Sequence, residues 1–296
     1  MVSIGIALPT MAEGFSGRAL RDWCRAVDDG PFSSISTGER VTFFNPEMLT
    51  TLSACAVLTE RVEILANIVV AGLHRPAMLA KQLATIDVLS EGRLVVGLGV
   101  GGRPHDYAAV DAPFRARHDT VDALAARLRE LWSGAPPFDG ADPIGPACVH
   151  AGGPRLLSGA MGPKGLARAA VWADGITGFS VSGDPKEVAL AALGAREAWQ
   201  AAGRDEAPWL GSGTFVVLGV DDALATLRSF AATYLGFLGA DLASAVAGTL
   251  TVADPAELHR VLDGAEEVGI DEFTLVPGTW DLACLDAIAT VVAERR

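Results

Sequence analysis

The sequence predicts an α/β fold of the TIM-barrel class, in which eight parallel strands close into a ring and each is followed by a helix. Short β-branched runs alternate with segments of helical period eight times along the chain, a pattern typical of parallel strands joined by right-handed crossovers. The length of 296 residues suits one such barrel. The main alternative is a doubly wound sheet, whose first strand normally runs into G-x-G-x-x-G, but here Leu8 is followed by Pro-Thr-Met.

The first half of the chain alternates regularly between the two kinds of segment. The run 62–71 is almost wholly aliphatic, as strands buried on both faces are. Apolar residues recur at helical spacing in 76–89. The next helix upstream is expected to have Asn45 as its N-cap and Pro46 at its first position. The expected strands are 3–8, 33–37, 62–71 and 94–98; the expected helices are 17–29, 46–60 and one from Pro76 that Gly92 ends as its C′ residue.

The second half continues the alternation after one long interruption. Segment 115–132 is strongly amphipathic, whereas 133–153 is rich in Pro and Gly and lacks a period, which predicts a long loop that acts as a lid or insertion. No linker marks a second domain, so 1–296 is expected to be a single domain. The remaining strands are expected at 155–160, 174–179, 210–220 and 271–276, and the helices at 115–132, 165–173, 184–202, 221–238, 254–268 and 282–294.

Composition excludes several classes of partner. The net charge of -13 argues against binding to nucleic acid or an anionic membrane surface. No apolar run reaches the ~20 residues that cross a bilayer, and the N-terminus lacks the pattern of a signal peptide, so a cytoplasmic protein is expected. The four cysteines form no C-x-x-C, and the five histidines form no H-x-x-x-H, so neither a disulfide framework nor a metal site is expected.

Glycines cluster where the fourth strand ends. Gly97, Gly99, Gly101 and Gly102 occur within six positions, directly after a buried strand. Without Cβ atoms they would let a flat or anionic ligand approach the backbone. The alternative is a tight strand-to-helix turn that binds nothing, and spacing alone does not choose between the two.

A second candidate ligand site follows the fifth strand. The residues of this turn are Gly159, Ala160, Met161, Gly162, Pro163 and Lys164. Free N–H groups at the start of the next helix, together with its dipole, can hold an anion, and Lys164 can add charge. Alternatively the two glycines only make the turn and Lys164 is solvated. With both glycine clusters on neighbouring strands, phosphate binding is the favoured interpretation.

The run A-T-x-D-x-L-S-x-G-R-L-x-x-G-x-G-x-G at 84–101 resembles the bacterial-luciferase-like family of flavin and deazaflavin oxidoreductases, and the resemblance extends over most of the chain. It implies a luciferase-like barrel, a homodimer, and coenzyme F420 or FMN bound across the mouth. F420-dependent relatives often carry a similar G-x-x-G-P-K turn. The resemblance also implies a cis peptide bond between Asn67 and Ile68, in a bulge behind the flavin ring; the alternative is an ordinary strand.

The catalytic candidates lie after the second and third strands. Glu39 could exchange a proton with a substrate, and Arg40 could bind an anionic ligand; otherwise they form an ion pair of little consequence. His74 is a further candidate, although loop histidines are commonly solvated. Many F420-dependent relatives carry Asp-His in place of Glu39-Arg40. The sugar-phosphate dehydrogenases of the family place a catalytic Glu where this chain has Gly102, so that activity is not expected.

Three more residues complete the cofactor set that is expected at the strand ends: Arg103, Tyr107 and Phe179. The resulting hypothesis is an oxidoreductase that transfers a hydride between F420 and a small organic substrate. An FMN-dependent monooxygenase using O2 is the first alternative, and a non-catalytic barrel with poor cofactor binding is the second. A phosphate-binding isomerase or aldolase is disfavoured because no lysine ends a strand. The segments 133–153 and 239–253 are expected to shape the substrate pocket.

Overall fold

Eight parallel strands close into a barrel in the computed structural model, which describes residues 1–295. Each strand pairs with its neighbours in chain order, and β1 closes the ring by pairing with β8. The TIM-barrel prediction is therefore confirmed. The strands are β1 (Ser3–Ala7), β2 (Ser34–Thr37), β3 (Glu63–Val70), β4 (Leu94–Gly99), β5 (Arg155–Ser158), β6 (Gly175–Thr177), β7 (Trp209–Val216) and β8 (Glu272–Pro277).

The helices surround this barrel and bury their apolar faces against it. They are α1 (Gly17–Asp29), α2 (Met48–Leu58), α3 (Pro76–Leu89), α4 (Pro104–Ala109), α5 (Arg117–Trp132), α6 (Pro163–Trp172), α7 (Pro185–Ala201), α8 (Ala223–Tyr234), α9 (Ala240–Gly248), α10 (Pro255–Val268) and α11 (Leu282–Ala293). Helices α4 and α9 were not expected from the sequence. The helix expected at 221–238 ends at Tyr234, and a separate 3-10 turn follows it.

The expected start of α2 was wrong. Glu47, not Asn45, is the N-cap, because its carboxylate accepts hydrogen bonds from the backbone N–H groups of Leu49 and Thr50. The side-chain amide of Asn45 instead donates to the carbonyl oxygen of Pro46. A carboxylate that accepts two free N–H groups satisfies more of the helix end than one amide oxygen would.

The long loop was also assigned to the wrong end of the barrel. Residues 133–154 connect the end of α5 to the start of β5, so they lie at the N-terminal face, where the strands begin. Val149 and His150 contact Gly92, just before β4, and the N–H of Val149 donates to Asp87. This loop cannot shape a pocket at the opposite face, whatever its length.

The floor of the barrel holds a buried carboxylate. Glu272 begins β8 and accepts hydrogen bonds from the hydroxyls of Ser33 (2.6 Å) and Ser34 (2.9 Å). A small separate cluster of Leu65, Val95 and Leu157 packs together and against Trp209. Burial raises the pKa of Glu272, and the two serine hydroxyls offset only part of that effect.

We expect Glu272→Gln to raise the melting temperature at neutral pH. A carboxyl group whose pKa is higher in the folded state than in the unfolded state stabilises the fold at low pH. That contribution is lost as the pH rises through the folded pKa. The amide keeps the shape without the charge, so its advantage should shrink as the pH falls below the ordinary Glu value. Thermal denaturation of both proteins across acid and neutral pH measures this, and an advantage that grows toward low pH would contradict it.

Two expected absences can be compared with the described part of the chain. Within residues 1–295, no helix is long and apolar enough to cross a membrane. No group of three or more histidines, cysteines or carboxylates in that range could hold a metal ion.

Candidate active site

A cavity of about 240 Å³ opens at the C-terminal ends of the strands, where TIM-barrel enzymes place their active sites. Its walls combine aliphatic and aromatic side chains with hydroxyl groups and one amide. Two of the hydroxyls, on Thr10 and Thr37, bond to each other at 2.7 Å. The lining residues are Ala7, Leu8, Thr10, Met11, Ser36, Thr37, Gly38, Asn67, Ile68, Gly159, Met161, Thr177, Gly178, Phe179, Phe215, Tyr234, Thr274 and Val276.

The wall formed by β3 contains the expected cis peptide bond. The bond between Asn67 and Ile68 is cis, and the pairing of β3 with β4 shifts register between Ala66 and Val69. The side-chain oxygen of Asn67 accepts a hydrogen bond from the hydroxyl of Thr177 (3.0 Å). Both residues of the cis bond line the cavity, so the bulge forms part of its surface.

The glycines at the ends of β4 and β5 make room for Ile68. A Cβ built on Gly99 would lie 2.1 Å from Cδ1 of Ile68, and one on Gly159 would lie 3.0 Å from the same atom. Gly97 is equally tight against Cγ2 of Ile68 (3.0 Å). These glycines therefore seat a side chain of the protein, and of the three only Gly159 also lines the cavity beside Ile68.

The next two glycines behave differently from this group. Gly101 has a φ of +59°, and a Cβ there would also press on Val70 at 2.7 Å, so the turn itself requires glycine. A Cβ on Gly102 would meet no atom within 4 Å. Of the glycines that end β4, Gly102 alone faces open space.

The turn after β5 presents an open helix N-terminus. Gly162 is the N-cap of α6 and gives no side-chain hydrogen bond, and Pro163 occupies the first turn. A Cβ on Gly162 would meet no atom within 4 Å. Met161 is 63% exposed and lines the cavity, while Lys164 is exposed. The free N–H groups of this turn and the helix dipole favour an anion here.

Glu39 and His74 form a pair at the ends of β2 and β3. Nε2 of His74 lies 2.7 Å from Oε1 of Glu39, and Oε2 accepts a hydrogen bond from the N–H of Val70. The Glu39 side chain is only 8% exposed. Neither residue lines the mouth cavity; His74 instead lines a separate groove beside α5. Their catalytic role remains a prediction.

Arg40 is buried beneath aromatic rings. Its guanidinium lies 4.0 Å from the ring centre of Tyr234 and 4.4 Å from that of Phe43, and Nη2 donates to the backbone carbonyl of Tyr234. Nη1 is buried without a hydrogen-bond partner. Burial lowers the pKa of Arg40, and the nearby charge of Arg103 lowers it further, although the phenol of Tyr234 opposes both effects. Arg40 therefore holds the cavity wall at Tyr234.

Arg103 and Tyr107 are occupied by contacts within the fold. Nε of Arg103 donates to Asp106 (3.1 Å), whose other oxygen accepts three hydrogen bonds from the segment that follows Arg40, two of them from Thr42. Burial alone would raise the pKa of Asp106, but these bonds and the charge of Arg103 lower it. Tyr107 is 1% exposed and donates to the carbonyl of Val100; its contact with a cofactor stays a prediction.

A wider groove of about 830 Å³ adjoins the cavity along α7 and α9. Phe179, predicted from its strand-end position, lines both spaces and packs edge-on against Phe215. Helix α9 contributes Ala245 and Val246, and Thr249 directly follows it. Segment 239–253 therefore borders the groove, and that it shapes a substrate pocket stays a prediction.

A family model for luciferase-like monooxygenases matches residues 1–293. The chain belongs to this family. A curated relative, the F420-dependent hydroxymycolic acid dehydrogenase of Mycobacterium tuberculosis, is 32% identical over 200 residues, which cover 64% of this chain and 51% of that protein. The pyrimidine monooxygenase RutA of Methylobacterium radiotolerans is 33% identical over 93 residues, 30% of this chain and 24% of that protein. The luciferase-like chain thus spans about half or less of these relatives.

Solved structures confirm the fold of this luciferase-like chain. An F420-dependent secondary alcohol dehydrogenase in complex with an F420-acetone adduct superposes with a TM-score of 0.79 at 19% identity, over 100% of this chain and 99% of the other. Monooxygenase RslO1 from Streptomyces bottropensis gives 0.77 at 21% identity, over 99% of each. The oxygenating constituent of 3,6-diketocamphane monooxygenase from Pseudomonas putida, in complex with FMN, gives 0.70 at 15% identity, over 99% and 98%.

The sequence-based site missed the side chains that line the cavity from the first, seventh and eighth strands and from α8. Thr10, Phe215 and Thr274 carry no motif and gave no signal. Tyr234 lay inside a helix predicted to run four residues too far, so its position at a helix end beside the cavity was hidden. A prediction that ended α8 before Leu235-Gly236 would have placed Tyr234 at the mouth.

Proposed function

We propose that this protein is an oxidoreductase that binds coenzyme F420 across the mouth cavity and transfers a hydride to or from a small organic substrate. The observation that carries the proposal is the open N-terminus of α6 at Gly162, which lies beside the cavity through Met161. A phosphate placed there would accept hydrogen bonds from free N–H groups and interact favourably with the helix dipole.

The residues present fit such a ligand. The cavity offers a flat bulge at Asn67 and Ile68 and a buried hydroxyl on Ser36 that has no hydrogen-bond partner in the protein. Unpaired buried polar atoms are costly, so a ring carbonyl or hydroxyl bound above Ser36 would satisfy it. When bound, the deazaflavin would supply the hydride chemistry, and the protein would supply binding, orientation and exclusion of water.

FMN is the second candidate cofactor, and with it a monooxygenase activity that uses O2. The RutA relative and the FMN-complexed neighbour support it. The same α6 N-terminus would hold the phosphate of FMN, so the geometry of this turn serves both. The F420-dependent dehydrogenase matches a longer stretch of the chain, which supports F420 as the first choice.

Fluorescence titration with matched pairs of ligands tests the proposal. FMN and riboflavin differ only by a phosphate, as F420 and its phosphate-free deazaflavin core differ by the phosphate-bearing tail. We expect quenching at low micromolar F420, weaker binding of the core, and weaker binding of FMN. Tighter binding of FMN than of F420 would favour the monooxygenase. Binding of neither would support the non-catalytic barrel and contradict the proposal. The homodimer and the cytoplasmic location remain predictions, and light scattering measures the former.

A further inference from the structure

The mouth cavity contains a single ionisable side chain. Of the described residues that line it, only Tyr234 can gain or lose a proton on a side chain; the other polar groups are hydroxyls of Ser and Thr and the amide of Asn67. Transfer of a hydride to a carbonyl carbon leaves negative charge on its oxygen, which requires a proton donor within reach. The predicted donors Glu39 and His74 bond to each other outside this lining.

A positive charge lies directly against Tyr234. The Arg40 guanidinium is 4.0 Å from its ring centre and donates to its backbone carbonyl at the end of α8. Phe215 packs edge-on against the ring at 5.2 Å, and Phe230 packs beside it. These contacts fix the ring while leaving the residue partly exposed to the cavity. The other charged groups near Arg40 are Arg103 and Asp106, which form their own ion pair.

We propose that Tyr234 is the catalytic proton donor and acceptor of the site and that Arg40 positions it. This proposal rests on the proposed function. In the reducing direction the C–H bond of the reduced cofactor would break, its hydride and electron pair would bond to the substrate carbonyl carbon, and the C=O π bond would break. The O–H bond of Tyr234 also breaks, and its proton passes to the substrate oxygen. The phenolate then regains a proton from water. In the oxidising direction each transfer reverses, and the Arg40 charge stabilises the phenolate in both.

The first experiment needs neither cofactor nor substrate. The chain has two tyrosines, so Tyr107→Phe leaves Tyr234 as the only source of tyrosine ring signals in a nuclear magnetic resonance spectrum of protein labelled with ring-13C tyrosine. We expect these signals to be shifted and broadened in Tyr107→Phe/Arg40→Met relative to Tyr107→Phe, because the second change removes the guanidinium that lies 4.0 Å from the ring centre. Identical spectra would overturn the role of Arg40, even if the protein proved to bind no cofactor. Circular dichroism of each variant shows whether it is folded.

The second experiment uses reduced F420 with acetone, cyclohexanone and acetophenone as substrates. Tyr234→Phe keeps the ring and its packing but removes the proton. Because a positioned acid or base contributes about 10²–10⁴-fold, kcat should fall by at least about 100-fold while the F420 dissociation constant changes little. The basic limb of the pH profile should be lost. Thr233→Ala, which removes an exposed hydroxyl one residue earlier, is the matched control. Wild-type kcat in Tyr234→Phe would overturn the proposal while leaving the proposed cofactor intact.

Discussion

Gly99→Ala should weaken cofactor binding by about tenfold or more, which corresponds to at least about 1.4 kcal/mol, with a smaller loss of stability. The new methyl group would lie 2.1 Å from Cδ1 of Ile68, far inside contact distance. Ile68 already fills the space that the missing Cβ atoms of Gly97 and Gly159 leave, since its atoms lie 3.0 Å from each built Cβ position. We therefore expect it to turn into the cavity that it lines, and a side chain held off its rotamer costs about 0.5–1.5 kcal/mol.

A second substitution should reverse the first. Ile68→Val removes Cδ1, after which the nearest remaining atom, Cγ1, lies 3.4 Å from the Cβ of residue 99. The double variant Gly99→Ala/Ile68→Val should thus recover most of the affinity in the fluorescence titration. Gly17→Ala, where the built Cβ has ordinary contact at 3.6 Å, controls for the loss of a glycine. Additive effects of the two substitutions in the double variant would rule out the steric explanation.

The glycine cluster illustrates how far the sequence could lead. Its position at the ends of neighbouring strands was correct, because the alternation of strands and helices fixes which loops meet at the mouth. That these glycines bind a ligand stays a prediction, and the structure adds a contact within the protein that was not predicted. Spacing could not reveal that Gly97, Gly99 and Gly159 accommodate Ile68, since that contact depends on how the bulge in β3 directs one side chain across two other strands.

The prediction for the long loop was wrong for a related reason. Residues 133–153 have the composition of a lid, but composition does not say at which end of a barrel a connection lies. The order of the elements does say so, because every segment between a helix and the following strand lies at the N-terminal face. This loop precedes β5. By the same rule, 239–253 would have been assigned to the N-terminal face if it were an ordinary connection. It reaches the groove because α9 forms an additional helix between β7 and α10.

The adjacent charges Glu39 and Arg40 show that sequence does not reveal which partners two neighbouring side chains contact. Their types suggested an ion pair or a joint role toward substrate. The structure separates them, with the carboxylate bound to His74 and Val70 and the guanidinium stacked on Tyr234 and Phe43. Adjacency in sequence does not say which partners two side chains meet, because that depends on the backbone conformation between them.

Gly162→Asp should stabilise the protein and weaken cofactor binding at the same time. Gly162 is the N-cap of α6 with φ -100° and ψ 159° and has open space around its built Cβ, so an aspartate there can accept the free N–H groups of the first turn. Capping and the favourable interaction with the helix dipole together should add about 0.5–1 kcal/mol to the free energy of unfolding. The carboxylate would then occupy the place proposed for the phosphate and repel it.

This test is stringent because it requires stability and cofactor affinity to change in opposite directions. We expect a higher melting temperature and a dissociation constant for F420 or FMN raised by at least about tenfold, with riboflavin, which has no phosphate, almost unaffected. Gly162→Asn caps a helix about as well as aspartate without adding charge, so its effect on affinity should be smaller than that of aspartate and independent of salt. If Gly162→Asp raised stability and left FMN and F420 binding unchanged, the phosphate would have to lie elsewhere, because the capping carboxylate would take up N–H groups of the first turn and its charge would repel a phosphate there.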